Sequence, residues 1–232
     1  MPRCQQTFQR ISPADNGTCP HCSDAETYAA VRDTELLQYA RLAEAAAIQD
    51  FGRPHDVSRS TFLLLGLRPE CVLEPVDRRY DIYLQQKSDA LQLRLQIGHE
   101  VFHRICSQGR IFHWTHEMLA CLFSVRLLRQ QGFEGYAAQC AREYQKEAES
   151  CPPATLFTTD LWMLSAYPPG FYGRAYAMGA ELKSTVGWHA LCHLARFRAE
   201  RGAPDVPGWI DSLPEHQKES VQRLLVGDAD RT

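Results

Sequence analysis

No stretch of this 232-residue chain approaches the roughly 18 consecutive apolar residues that a membrane-spanning helix needs, and no signal-type apolar core follows Met1. These absences predict a cytoplasmic protein with no membrane partner. The chain also lacks an excess of one charge. Against 25 Lys and Arg stand 28 Asp and Glu, a formal net charge of -3, with no dense basic block, so nucleic acid is not expected as an electrostatically driven partner. A disulfide framework is missing as well: the nine cysteines are odd in number, and Cys106, Cys121, Cys140 and Cys192 lie in segments that read as helices. Without a secretory signal, reduced thiols acting as small apolar residues are the better reading. There are no internal repeats or low-complexity tracts. A composition of 44% hydrophobic and 23% charged residues is globular, and the length suits one domain, or one domain plus a small appendage, with a real core.

Within that ordinary composition lies His99-Glu100-Val101-Phe102-His103, an HExxH motif. A random order of these residues gives such a motif with a probability on the order of a few per cent, so the surrounding pattern matters. Leu91, Leu95, Gly98, Phe102 and Ile105 share one helical face, and Leu93, Ile97 and Val101 make much of the remainder apolar. A helix apolar nearly all round is a central helix. Two histidines one turn apart on it can reach one metal ion, and Glu100 beside the first can hold a water there. A metal supplies the partner that buried imidazoles and a buried carboxylate require; the alternative is a pair of core histidines satisfied by ordinary hydrogen bonds.

Residues 1–27 form a separate, polar, turn-rich segment containing Met1-Pro2-Arg3-Cys4 and Thr18-Cys19-Pro20-His21-Cys22. Cys19 and Cys22 make one Cys-x2-Cys knuckle, and Cys4 has the form of a second whose first cysteine is replaced by Met1. The segment therefore reads as a partial zinc ribbon with Cys4, Cys19 and Cys22 as ligands, completed by His21 or by residues upstream. The alternative is a tail with incidental cysteines.

Residues 28–232 are expected to form the main domain, of α+β class and predominantly helical. Residues 25–51 read as one helix with Asp24 as N-cap, ending at Gly52 and Pro54. Residues 61–65, 70–74 and 79–84 read as short strands, giving a small sheet before the HExxH helix. Ser88 is the candidate N-cap for that helix, which runs to Cys106 and stops at the Ser107 to Arg110 turn. Further helices are expected from Thr115 to Gly132, over 134–150, over 171–200 and over 215–226.

A catalytic zinc takes three protein ligands, so the motif needs one more. Position 109, six residues after His103, is glycine, which excludes the metzincin pattern. His113, His116 and Glu117 are the downstream candidates. Glu117 is favoured because Ala120, Cys121 and Ser124 continue its helix face as a stripe of small residues that permits close helix approach. An acid in a first helical turn is also what the helix dipole favours, so a purely local role is the alternative.

Over residues 91–132 the chain resembles the gluzincin metallopeptidases, in which HExxH precedes a helix that donates a glutamate. Glu117-Met118-Leu119-Ala120-Cys121-Leu122-Phe123 looks most like the ImmA/IrrE-type branch. The resemblance implies a zincin-like core, zinc held by His99, His103 and Glu117, and Glu100 as general base for the attacking water. It also implies a peptide or protein substrate and, as in some regulatory proteases of this type, a regulatory protein partner. An oxyanion donor is needed besides. Tyr172, Tyr176, His189 and His193 are the candidates, Tyr172 foremost, on a small-residue helix able to pack near the site. The leading reading is thus a zinc-dependent metallopeptidase. The competing one is a catalytically inactive zinc-binding regulatory or interaction protein with the same fold. A protease acting near nucleic acid ranks last, because the SprT-type proteases place their ribbon after the catalytic part and use a third histidine.

Overall fold

In a computed structural model of the chain the described residues are 17–18, 27–52, 59–74, 79–107, 113–158, 167–197 and 204–226. Cys4, Cys19 and Cys22 of the ribbon-like segment lie outside them. The fold is α+β and mostly helical, and it divides into two compact units, Met1–Arg110 and Ile111–Thr232.

The first unit contains every strand of the described residues. β1 (Gly17–Thr18), β2 (Thr27–Ala30), β3 (Thr61–Gly66), β4 (Glu70–Glu74) and β5 (Arg79–Gln85) form one sheet in the order β1-β2-β3-β5-β4. β3 and β5 are parallel, with Thr61 opposite Tyr80 and Gly66 opposite Gln85, while β4 closes the edge antiparallel to β5. Phe62, Leu63 and Leu64 on β3 and Ile82, Tyr83 and Leu84 on β5 are consecutive and buried, the continuous run expected of strands covered on both faces. Two helices accompany the sheet. α1 (Thr34–Phe51) packs on α2 (Ala90–Cys106), with Phe51 edge-on to Phe102 at 5.0 Å, and α2 in turn lies against β4 and β5.

Helix boundaries follow the strongest local caps. α1 starts at Thr34, nine residues after the expected start. The Asp33 carboxylate accepts hydrogen bonds from the Glu35 and Leu36 amides, and Thr27–Ala30 is drawn into pairing with β3 instead. Asp89, not Ser88, caps α2, accepting from Leu91 and Gln92 at 2.9 and 2.8 Å. Ser88 is used elsewhere, its hydroxyl accepting from Gln96 Nε2 at 3.0 Å.

The second unit is wholly helical among the described residues: α3 (Trp114–Gln130), α4 (Glu134–Ala148), α5 (Ala154–Thr158), α6 (Phe171–His193) with a 3-10 turn at Leu194–Arg196, α7 (Val206–Asp211) and α8 (Glu215–Val226). α6 packs against both α3 and α4. Gly179 permits the first contact, since a Cβ there would collide with Met118 and Leu122 of α3. α6 ends earlier than its sequence suggests and kinks at Gly187, whose φ of 81° only glycine adopts without strain. α7 buries Trp209 completely, its indole donating to the Ala190 carbonyl at 2.9 Å. No helix of the described residues is long and apolar enough to cross a membrane, and Cys71, Cys106, Cys121, Cys140, Cys151 and Cys192 are buried.

On β5 the Arg79 guanidinium grips the fully buried Asp81 carboxylate at 2.8 and 3.1 Å and lies 4.6 Å over the Phe62 ring. Replacing Arg79 by Met removes this partner from the buried carboxylate and should cost about 3 to 5 kcal/mol in urea unfolding. Pairing it with Asp81→Leu should recover most of the loss. An equal loss in the double variant would contradict this account of the ion pair.

Candidate metal centre

α2 positions the motif. Its apolar pattern buries Leu95, Ile97, Val101, Phe102 and Ile105, and this carries the intervening polar side chains inward with them. His103 is 2% exposed, Glu100 5%, and His99 is half-buried. Spaced one turn apart, the two histidines turn their Nε2 atoms toward one another at 3.1 Å, their ring planes crossing at 67°. Phe102 lies against the His103 ring at 5.6 Å. Arg104, also buried, stays within the first unit: its Nε donates to Thr61 Oγ1 at 3.2 Å and its guanidinium sits 5.0 Å over the Tyr80 ring.

Glu100 makes itself felt on the sheet. Burial chiefly, then the Glu100 charge, pushes the Cys71 thiol of β4 well above its usual range, with Arg104 opposing. Cys71 is therefore a neutral thiol in the metal-free protein.

Glu117 stands in the first turn of α3 and is completely buried. The Tyr167 hydroxyl donates to its Oε1 at 2.8 Å. Ligand atoms of His99, His103 and Glu117 all lie within 4.8 Å of one another. Two nitrogens bound about 2.0 to 2.1 Å from one tetrahedral ion stand about 3.3 Å apart, close to the spacing of the histidine pair. Two imidazoles and one carboxylate form a donor set suited to a borderline divalent ion. The residues fit a metal.

Of the three downstream candidates, Glu117 is the one in this group. His113 acts locally, as the cap of α3, with its Nδ1 accepting from the Thr115 amide at 3.4 Å and lying 2.9 Å from Thr115 Oγ1. Burial lowers its pKa to about 4, so it is neutral. His116 is buried on the same turn. Ala120, Cys121 and Ser124 are fully buried as well, and Cys121 hydrogen-bonds with Tyr144 of α4.

The oxyanion candidates are dispersed along α6. Tyr172 is 37% exposed and meets the Tyr167 ring edge-on at 5.2 Å. Tyr176 is a core residue, stacked on Tyr144 at 5.0 Å. The His189 and His193 rings lie beyond the kink with centroids 4.5 Å apart and planes tilted by 60°. The sequence alone does not reveal Tyr167, which is fifty residues from Glu117 and inside a segment legible only as a Tyr-Pro-Pro-Gly turn.

No family model, no curated protein and no solved structure significantly matches this chain.

The His113 cap has a pH signature. Its folded pKa lies below the ordinary 6.5, so the unfolded chain binds a proton first, and stability should fall as pH drops from 6.5 to about 4 and level off below. Urea midpoints of the metal-free protein across that window should show a shallower decline for His113→Asn, which keeps a capping oxygen but does not titrate. Identical profiles would contradict the assignment.

Proposed function

We propose that this chain is a zinc-dependent metallopeptidase of the gluzincin kind, hydrolysing peptide bonds. The observation that carries the reading is the approach of the His99, His103 and Glu117 ligand atoms to within 4.8 Å, on a sequence where Glu100 directly follows the first of them. His99 and His103 offer Nε2 and Glu117 a carboxylate oxygen. When bound, the ion supplies Lewis acidity that polarises a carbonyl and acidifies a water. The rest falls to the protein. Glu100 accepts the proton of the attacking water on its carboxylate and returns it to the departing amine nitrogen, as a general base and then a general acid. Its burial keeps bulk water from competing for that proton. Tyr172, partly exposed and in contact with Tyr167, is the side chain proposed to donate to the developing oxyanion. The substrate class is a peptide or protein, and the protein is proposed to work in the cytoplasm.

Metal analysis of the purified chain, with Cys4, Cys19 and Cys22 changed to Ser, should find about one zinc, lost in His99→Ala. Glu100→Gln should keep the zinc while hydrolysis of a casein or peptide-library substrate falls by about 10²- to 10⁴-fold. Retained zinc with no hydrolysis by either form would favour the inactive, metal-stabilised binding protein instead. Zinc content unaffected by His99→Ala would end both readings of this site.

A further inference from the structure

We propose that Tyr167 is a positioning residue for the metal centre, holding the Glu117 carboxylate in its ligating orientation through the 2.8 Å hydrogen bond from its hydroxyl to Oε1; this rests on the metal-site reading above. Burial creates the requirement. Glu117 has no exposed surface, and an ionised carboxylate removed from water needs donors or a cation to offset its desolvation. A carboxylate has about four lone-pair sites on two oxygens. Tyr167 takes one on Oε1, which restrains how the group can turn. Second-layer hydrogen bonds of this type orient ligands and raise their basicity.

Tyr167 is built to aim that hydroxyl. Pro168 and Pro169 each fix a backbone φ, Gly170 takes the left-handed conformation at φ 75°, and the Phe171 amide closes the turn on the Pro168 carbonyl at 3.1 Å. The turn brings the Tyr167 ring flat onto Phe171, with centroids 4.9 Å apart and planes 11° from parallel, while Tyr172 abuts its edge. A Cβ at Gly170 would run into the Glu147 carbonyl and Ser150 of the α4 end, so the turn is also fixed against that helix. A ring held on two sides has little rotational freedom, and the hydroxyl at its tip inherits that restriction.

The test removes only the hydroxyl. In the chain with Cys4, Cys19 and Cys22 changed to Ser, Co(II) affinity is measured by chelator competition and by visible absorption for the parent, Tyr167→Phe, Glu117→Ala and their double variant. Tyr167→Phe should weaken Co(II) binding about 10- to 100-fold. It should leave the near-UV circular dichroism of the metal-free protein unchanged, because both ring contacts survive. In the Glu117→Ala background the same change should cost nothing further, since the hydroxyl acts only through that carboxylate. Unaltered affinity in Tyr167→Phe, or an equal loss with Glu117 already removed, would overturn the inference while leaving the site intact. A parent chain that binds no Co(II), or whose binding is indifferent to His99→Ala, would remove the metal site itself and with it any role for Tyr167.

Discussion

Burial of ionisable groups on α2 is the constraint around which the first unit is organised. The helix needs apolar contact on most of its surface to pack against α1, β4 and β5, yet its last two turns carry Glu100, His103 and Arg104 inward. Each such group costs several kcal/mol unless it is met. Arg104 is met in part by Thr61 and the Tyr80 face, its Nη1 being left without a hydrogen bond among the described residues, so the sheet that supports α2 takes up only part of its cation. The imidazoles are placed differently, with their Nε2 atoms turned toward one another at 3.1 Å. A divalent ion could accept a nitrogen lone pair from each.

The second unit solves the same problem for one carboxylate. α3 is buried along almost its whole length, and α6 approaches it at Gly179 because no side chain intervenes. Glu117 at the start of α3 gains from the amides of that helix end and from the Tyr167 hydroxyl. The turn that carries Tyr167 is thus coupled, through Phe171 and the packing of α6, to the helix that carries Glu117. Fixed ligands reduce the reorganisation that metal binding requires.

Much of this is legible in the sequence, for physical reasons that also mark where legibility stops. α2 and strands β3 to β5 can be read because apolar periodicity is a local property, as can α4 and α8 from their polar faces. The start of α1 cannot: Asp24 and Asp33 are both competent caps, and the pairing of Thr27–Ala30 with β3 is non-local. Short α5 and α7 have too few residues for a period, and α6 reads too long because buried Leu194 and Ala195 continue its apolar pattern into the 3-10 turn. In the site, the histidine pair follows from helix geometry alone. The choice of Glu117 over His113 and His116 is favoured in the sequence by the small residues at 120, 121 and 124, while the capping role of His113 shows only in the structure. Tyr167 needs them entirely, because a hydrogen bond across fifty residues leaves no local pattern.

The central claim is that one ion sits among His99, His103 and Glu117, and its most direct test is the X-ray absorption fine structure of the zinc-loaded chain with Cys4, Cys19 and Cys22 changed to Ser. A first shell of nitrogen and oxygen is expected at about 2.0 to 2.1 Å, with the outer-shell scattering of two imidazoles and no sulfur. Sulfur at about 2.3 Å, or a shell containing no imidazole, would contradict it.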